Sequence, residues 1–327
     1  MYDRNNIFNS IFEFITAEMY RSFLKNILLS GFLLIIVSEN NLCAQEYFAP
    51  SENYNQKRLL GTVITESVIS TSVMIGLNYL WYKKFKRSKF HFFNDNAEWM
   101  LMDKAGHSFS AFTISCIQSD IMQWCGVKSK NAAIIGSATA LGYMSMIETF
   151  DGYSDKWGFS TGDMAANLAG IALFEGQQLG WKEQRVSIKF SYHFTLFAQY
   201  YPQALGSNDQ ERIIKDYNGQ TYWLSANVAS FLPARDDFPN WLNVSFGYGA
   251  EGMVGARDNP KEINGKTVPD FKRYRQFYLS LDTDLFRIND LSASTEAGYK
   301  LNRILKMPAP TLEFNTEGKF KFYPLYY

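Results

Sequence analysis

The sequence has little of three things that commonly indicate a biochemical class: paired cysteines, an excess of charge of one sign, and a familiar catalytic motif. Its three cysteines, Cys43, Cys116 and Cys125, form no CxxC pair. An odd count without such pairs predicts neither a disulfide framework nor a cysteine-based zinc site. The 32 basic and 32 acidic side chains cancel, so no overall field attracts nucleic acid.

Motifs that identify common enzyme classes are also missing. The sequence contains no nucleophile elbow, no phosphate-binding loop and no HExxH pair. It shows no internal repeat and no low-complexity segment. Any chemistry must therefore come from a less regular cluster of polar side chains.

Residues 1–44 are predicted to be a targeting region. Two basic residues precede an apolar run at residues 27–37, and small residues follow near Ala44. This order is typical of a secretory signal peptide, with the translated start at Met19 and cleavage after Ala44. Lipidation of Cys43 is the alternative, although polar Asn40 stands three positions before it, where an aliphatic residue is expected. The mature chain is expected in the cell envelope, facing the periplasm and associated with the inner or the outer membrane.

Residues 45–184 are predicted to form a four-helix up-down bundle. Four segments with helical periodicity follow one another, each close to the roughly 20 residues that span a hydrocarbon core. Glu66, Asp120 and Glu175 interrupt three of them, and an ionised side chain at mid-bilayer costs roughly 2.5–3.5 kcal/mol. The pattern fits two alternatives, a membrane-embedded bundle with its acids turned inward and a compact soluble bundle.

Residues 185–327 are predicted to form an antiparallel β-rich domain of about five strands. In VSIKFSYHFTLF, apolar and polar residues alternate, which is typical of a strand with two different faces. Asn218-Gly219 indicates a tight turn before a further strand. The two halves together predict an α+β fold.

A basic and aromatic run lies at residues 81–93. It contains five basic residues, Lys83, Lys84, Lys86, Arg87 and Lys89. In an exported chain such a run fits an interfacial anchor to anionic lipid headgroups, with a solvated loop as the alternative. The expected partner is membrane lipid or another envelope component, and not nucleic acid.

Six polar residues lie at predicted helix ends and are the candidate site: Asp103, His107, Glu148, Asp151, Asp163 and Asn167. Spacings of three or four residues keep each pair on one helix face. In an up-down bundle, the start of the second helix, the end of the third and the start of the fourth meet at one end. We therefore expect these side chains to converge.

Structural roles are available for several of these side chains. Asp163 follows Ser160 by three positions, which fits a capping box. Glu148 lies at a helix carboxyl end, where the dipole disfavours a carboxylate by about 0.3–1 kcal/mol. A compensating cation is therefore expected, either protonated His107, Lys104 or a metal ion. Oxygen ligands with one imidazole suit a hard or intermediate divalent cation, and the same set would serve as general acid and base.

The segments DKAGH and ETFDGYSDKWGFSTGDMAANLAG resemble domain-of-unknown-function family 2279, the YfiM-like envelope proteins, in the long form known from the Bacteroidota. They are more distantly similar to VanZ-like membrane proteins. The matching positions are Asp103, Lys104, His107, Glu148, Asp151, Asp163, Asn167 and Gly170. The resemblance implies a bacterial periplasmic lipoprotein without an established reaction, although the lipobox is missing here.

Two functions fit these observations. The first is a non-enzymatic structural or binding component of the envelope, in which the polar cluster is a clasp. The second is a metal-assisted hydrolase or transferase that acts on lipid or cell-wall material, with His107 as base or ligand. The missing catalytic motifs and the available capping roles favour the first.

Overall fold

The computed structural model describes residues 51–77, 86–233, 238–287 and 303–326. The predicted targeting region, with Cys43, lies outside the described residues, as do Lys83 and Lys84 of the basic run. The described residues form long helices followed by an antiparallel sheet, which confirms the α+β class.

Four long helices precede the sheet: α1 Gln56–Leu77, α2 Met102–Trp124, α3 Ser129–Gly152 and α4 Thr161–Gly180. Helices α2, α3 and α4 pack against one another. A Cβ at Gly136 would lie 2.5 Å from Ser115 O, and a Cβ at Gly170 would lie 2.2 Å from Ser108 O. Because no Cβ approaches a backbone oxygen so closely, these two glycines set the spacing of α3 and α4 from α2.

Helix α1 is apolar and yet mostly exposed. Its exposed apolar side chains are Leu60, Val63, Ile64, Val68, Ile69, Val73 and Ile75. Among the described helices it alone is long and apolar enough to cross a membrane, judged by length and composition. Hydrogen bonds link it to α2 and α3: Gln118 Nε2 donates to Glu66 Oε2 at 3.2 Å, and the Ser70 and Tyr143 hydroxyls form a hydrogen bond.

The acids that interrupt the other helices also face polar partners. Ser137 Oγ donates to Glu175 Oε2 at 2.5 Å, which links α3 to α4. Arg303 Nη1 lies 2.8 Å from Asp120 Oδ2, which links a segment before the last strands to α2. With Glu66, all three acids therefore hold one element to another.

The main sheet has six antiparallel strands in the order β1-β2-β3-β6-β7-β8. These are β1 Val186–Tyr192, β2 Gln220–Asn227, β3 Leu242–Glu251, β6 Tyr274–Thr283, β7 Ala309–Asn315 and β8 Phe320–Tyr326. Between them lie the short helices α5 Pro202–Leu205 and α6 Asp209–Lys215 and a hairpin of β4 Glu262–Ile263 and β5 Lys266–Thr267. About five strands were predicted, and the described residues form six strands in this sheet and two in the hairpin, with a turn at Gly318 (φ +77°) between β7 and β8.

The two faces of the main sheet have inverted polarity. One face, here called the outer face, carries a directly paired apolar row, Leu224, Phe246, Leu279, Leu312 and Phe322. The opposite inner face carries a directly paired row of Ser225, Ser245, Ser280, Thr311 and Tyr323. Phe246 is 64% exposed whereas its neighbour Ser245 is fully buried. A sheet with one solvated face normally buries the apolar side instead.

The inner face is enclosed because the sheet curls. Tyr326 on β8 forms a hydrogen bond of 3.0 Å with Thr221 on β2 and packs with Trp223 and Tyr278. On the outer face, α2 covers the β1–β2 end, where the Phe109 ring packs against those of Phe190 and Tyr222. The start of α2 is thereby fixed against the sheet.

Candidate functional site

The candidate site lies where the starts of α2 and α4 meet the end of α3. Asp103 and His107 come from α2, Glu148 from α3, and Asp163 and Asn167 from α4. The structure brings these five side chains together. Asp151 lies one turn beyond Glu148 on α3, and its backbone carbonyl accepts a hydrogen bond from Ser154 N at 3.0 Å.

His107 lies at the centre of the cluster. Its Nδ1 is 3.1 Å from Asn167 Oδ1 and 3.6 Å from Glu148 Oε1. Its Nε2 is 3.9 Å from Asp103 Oδ1 and 3.9 Å from Asp163 Oδ1. The imidazole therefore faces oxygen atoms from all three helices.

Lys104 forms an ionic bridge beside the imidazole. Its Nζ lies 2.5 Å from Asp95 Oδ1 and 2.7 Å from Asp163 Oδ1. Asp95 belongs to the segment before α2, and it also accepts a hydrogen bond of 2.7 Å from Ser160 Oγ. Lys104 thus joins that segment to the start of α4.

Ser160 and Asp163 form only half of the predicted capping box. Ser160 Oγ accepts a hydrogen bond from Asp163 N at 3.1 Å, as an N-cap does. Glu148 takes the place of Asp163 as the acceptor of the reciprocal hydrogen bond, since Ser160 N donates to Glu148 Oε2 at 3.0 Å. The positive end of the α4 dipole thereby offsets the unfavourable position of Glu148. The Asp163 carboxylate is left to face Lys104 and His107.

Sequence reasoning missed Asp95 and Tyr217 as members of the site. Tyr217 OH donates to Asp103 Oδ1 at 2.7 Å across 114 positions of sequence. Asp95 stands in a stretch without helical periodicity, and Tyr217 precedes the Asn218-Gly219 turn in the sheet region. The Asn218-Gly219 turn, which predicts a fixed backbone, was the one sequence signal next to Tyr217.

The electrostatics of the cluster are set by burial and by its excess of carboxylates. Burial first, and then the charge of Asp103, raise the pKa of Asp163 to about 8. Burial also raises the pKa of Glu148. For His107 burial acts to lower the pKa, but the charges of Asp103, Asp163 and Glu148 raise it. The cluster therefore favours a bound proton or another cation.

The pKa values of the neighbouring Lys104 and Asp95 are shifted in opposite directions. Burial acts to lower the pKa of Lys104, but the charge of Asp103 and the contacts with Asp163 and Asp95 raise it. Burial acts to raise the pKa of Asp95, but hydrogen bonds with Asp163, Lys104 and Ser160 lower it. The Lys104–Asp95 pair is accordingly ionised.

The arrangement favours cation binding over direct proton transfer. Proton transfer needs heavy atoms roughly 2.6–3.2 Å apart, whereas the distances from His107 to the three carboxylates are 3.6–3.9 Å. Among the described residues, ligand atoms of Asp103, His107 and Asp163 lie within 4.8 Å of one another, a group that could hold a metal ion.

Comparison with known proteins gives one match. Residues 91–175 match the family model described as predicted periplasmic lipoprotein (DUF2279). No curated protein and no solved structure matches, and the similarity to VanZ-like proteins is unsupported. The match covers α2, α3, most of α4 and every residue of the cluster except Tyr217. Residues 91–175, which carry most of the site, are therefore similar to a family described as predicted periplasmic lipoproteins.

Proposed function

We propose that this chain is a cell-envelope component that contacts membrane lipid through the outer face of its sheet and through α1, with the polar cluster as an internal clasp. The observation that carries the proposal is the inverted polarity of the sheet. The match to a periplasmic family supports an envelope location.

The outer face is continuous and hydrophobic. Beside the paired row already described, a second row across four strands consists of Tyr248, Phe277, Phe314 and Phe320. Phe314 is 52% exposed and Phe320 is 66% exposed. Leaving apolar surface in water costs about 25 cal/mol per Å², and soluble monomers rarely expose large continuous apolar patches. Hydrocarbon removes that cost.

Buried ionic and polar contacts on the inner face explain why this face, and not the apolar one, is enclosed. Lys189 Nζ lies 2.7 Å from Asp282 Oδ2, and both side chains are almost fully buried. Ser225 Oγ donates to the same carboxylate at 2.6 Å. These groups satisfy one another only inside the curled sheet, so the apolar side is the one left for an external partner.

Helix α1 extends the apolar surface on the helical side. Its many exposed apolar side chains and its polar contact with α2 suit a lipid-facing helix beside α2 and α3. Lys86, Arg87 and Lys89 follow it and suit anionic headgroups.

The clasp role rests on which elements the cluster connects. Lys104 joins the segment before α2 to α4, Glu148 joins α3 to α4, and Tyr217 joins the sheet to α2. Direct proton transfer between His107 and an acid needs shorter distances than the 3.6–3.9 Å found here, which favours the clasp over an acid–base pair.

Vesicle flotation tests the lipid proposal. The full chain is mixed with vesicles of phosphatidylethanolamine and phosphatidylglycerol, and the bound fraction is compared for the parent, the double variant Phe246→Glu with Phe322→Glu, and Thr267→Glu. Phe246 and Phe322 lie exposed on the outer face, whereas Thr267 is exposed on β5 outside it. We expect the parent and Thr267→Glu to float and the double variant to remain unbound while keeping its circular dichroism spectrum. A parent that does not bind, or a double variant that binds equally, contradicts the proposal.

A further inference from the structure

The two nitrogens of His107 have different surroundings. Near Nδ1 lie Asn167 Oδ1 at 3.1 Å and Glu148 Oε1 at 3.6 Å, and both oxygens accept hydrogen bonds. The amide of Asn167 is oriented by its Nδ2, which lies 3.9 Å from Met164 Sδ. Nδ1 therefore carries the hydrogen, and in the neutral ring Nε2 presents its lone pair.

That lone pair faces two carboxylates. Nε2 is 3.9 Å from Asp103 Oδ1 and 3.9 Å from Asp163 Oδ1. A lone pair and two anionic oxygens repel one another unless positive charge lies between them. We propose that Asp103, His107 and Asp163 bind one divalent first-row transition-metal ion, a role that goes beyond the internal clasp.

The ligand separations suit such an ion. Zinc–nitrogen and zinc–carboxylate bonds are about 2.0–2.2 Å long, so two ligands of one ion lie up to about 4 Å apart. The hydrogen bond from Nδ1 to Asn167 is the kind of outer contact that fixes a metal-binding imidazole. Asp103 is likewise held, because Tyr217 OH donates to its Oδ1 at 2.7 Å.

A buried carboxylate oxygen without a hydrogen-bond donor lies beside the same ring. Glu148 is 1% exposed, its Oε2 accepts from Ser160 N, and its Oε1 accepts no hydrogen bond. Oε1 is turned toward the His107 ring at 3.6 Å. An unsatisfied buried carboxylate oxygen is costly, and a cation on the far side of the ring would polarise Nδ1–H toward it.

Carboxylates outnumber ammonium groups in the cluster. Four carboxylates, Asp95, Asp103, Glu148 and Asp163, surround one ammonium group, Lys104, which lies 2.5 Å from Asp95 and 2.7 Å from Asp163. Lys104 also lies 3.6 Å from Asp103 Oδ2. Burial already favours protons on this cluster, and a divalent ion held by Asp103 and Asp163 would take their place.

The donor set selects the class of ion. Two carboxylates and one imidazole suit zinc or manganese better than magnesium or calcium, which prefer oxygen ligands alone. The Asp103 side chain is 26% exposed, the most accessible of the three ligands, and gives the ion a path from solvent.

Equilibrium dialysis of the full chain, purified without a histidine tag and stripped with chelator, tests the site. Zn²⁺, Mn²⁺ and Mg²⁺ are titrated separately and bound metal is measured. We expect one Zn²⁺ or Mn²⁺ per chain, with affinity reduced at least ~10-fold in His107→Gln and in Asp163→Asn. Glu175→Gln is the control, since Glu175 lies further along α4, accepts a hydrogen bond from Ser137 and is not part of the cluster. Its affinity should stay within about threefold.

Ring ¹⁵N resonances in the unaltered chain provide a second readout, in which none of the proposed ligands is substituted. The chain has three histidines, assigned with His91→Gln and His193→Gln. Zn²⁺ should shift Nε2 of His107 while Nδ1 remains protonated. Less than about one tenth of an ion per chain, unchanged binding in His107→Gln, or shifts confined to His91 or His193 would overturn the proposal. Vesicle flotation does not depend on metal binding, so a failure of the metal proposal would leave the lipid proposal unaffected.

Discussion

The Glu148 carboxylate at the end of α3 accepts a hydrogen bond of 3.0 Å from the backbone N–H of Ser160 at the start of α4. The contact is favourable for both groups. The carboxylate meets the positive end of a helix dipole, and the N–H gains an acceptor that Asp163 would supply in a complete capping box. This exchange frees the Asp163 carboxylate for Lys104 and His107.

The same relationship predicts different outcomes for two substitutions of Glu148. Glu148→Gln keeps an acceptor for Ser160 N and removes a buried charge, so the free energy of unfolding should change by less than about 1 kcal/mol. Glu148→Ala leaves that N–H without a partner and creates a cavity, and it should lose about 3 kcal/mol. Urea unfolding at neutral pH measures both. Equal losses in the two variants would show that the hydrogen bond to Ser160 is unimportant.

Tyr217→Phe should weaken the attachment of the sheet to α2. The variant loses only the hydroxyl that donates to Asp103 Oδ1, and a hydrogen bond to a charged group contributes about 1.5–3 kcal/mol. Tyr153→Phe is the matched control, because Tyr153 is 48% exposed and surface changes usually stay within about 0.5 kcal/mol. Thermal and urea unfolding should separate the two variants, and similar stabilities would contradict the assigned role of Tyr217.

Two glycines of α4 should respond oppositely to alanine. A Cβ at Gly170 would lie 2.2 Å from the backbone oxygen of Ser108, so Gly170→Ala must push α4 away from α2 and should cost at least about 1–3 kcal/mol. A Cβ at Gly176 would meet nothing within 4 Å, so Gly176→Ala should stabilise the helix by up to about 1 kcal/mol. Zn²⁺ dialysis on the same proteins should show weaker binding for Gly170→Ala, since its ligands are displaced. A stable Gly170→Ala variant would mean that the helices are further apart than described.

Lys306 predicts a pH dependence of stability. Burial first, with a contribution from Lys189, lowers the pKa of Lys306 from 10.5 to about 8, against the opposing charge of Asp282. Between about pH 8 and 10.5 the unfolded chain therefore holds a proton that the folded chain has lost, and stability attributable to this side chain rises with pH. Below pH 8 both states are protonated and the dependence disappears.

Comparison with Lys306→Met isolates this effect, because other groups titrate alike in both proteins. Above pH 8, the free energy of unfolding of the parent should rise relative to that of the variant by at most about 1.4 kcal/mol per pH unit. Chemical unfolding at intervals from pH 7 to 10 measures the difference. A constant difference would show that the ammonium remains charged in the folded protein, held by the carbonyls of Leu281 and Met307 at 2.7 Å.

The order of elements could be predicted from the sequence, because periodicity is a local property. A period near 3.6 residues marks α2, α3 and α4, and alternation marks strands such as β1 and β6. The meeting of Asp103, Glu148 and Asp163 also followed from the sequence, since short connections between long helices leave few arrangements open.

Only the tertiary structure decided which groups complete the cluster and which face of the sheet is covered. Tyr217 reaches Asp103 across 114 positions, and Asp95 reaches Lys104 from a segment without periodicity. Alternation assigns residues to two faces but does not state which face is buried. Here the polar face is enclosed because the sheet curls until β8 meets β2, and the ion pair of Lys189 with Asp282 is satisfied inside. Such choices depend on long-range packing and on the balance of buried charge, which no local pattern encodes.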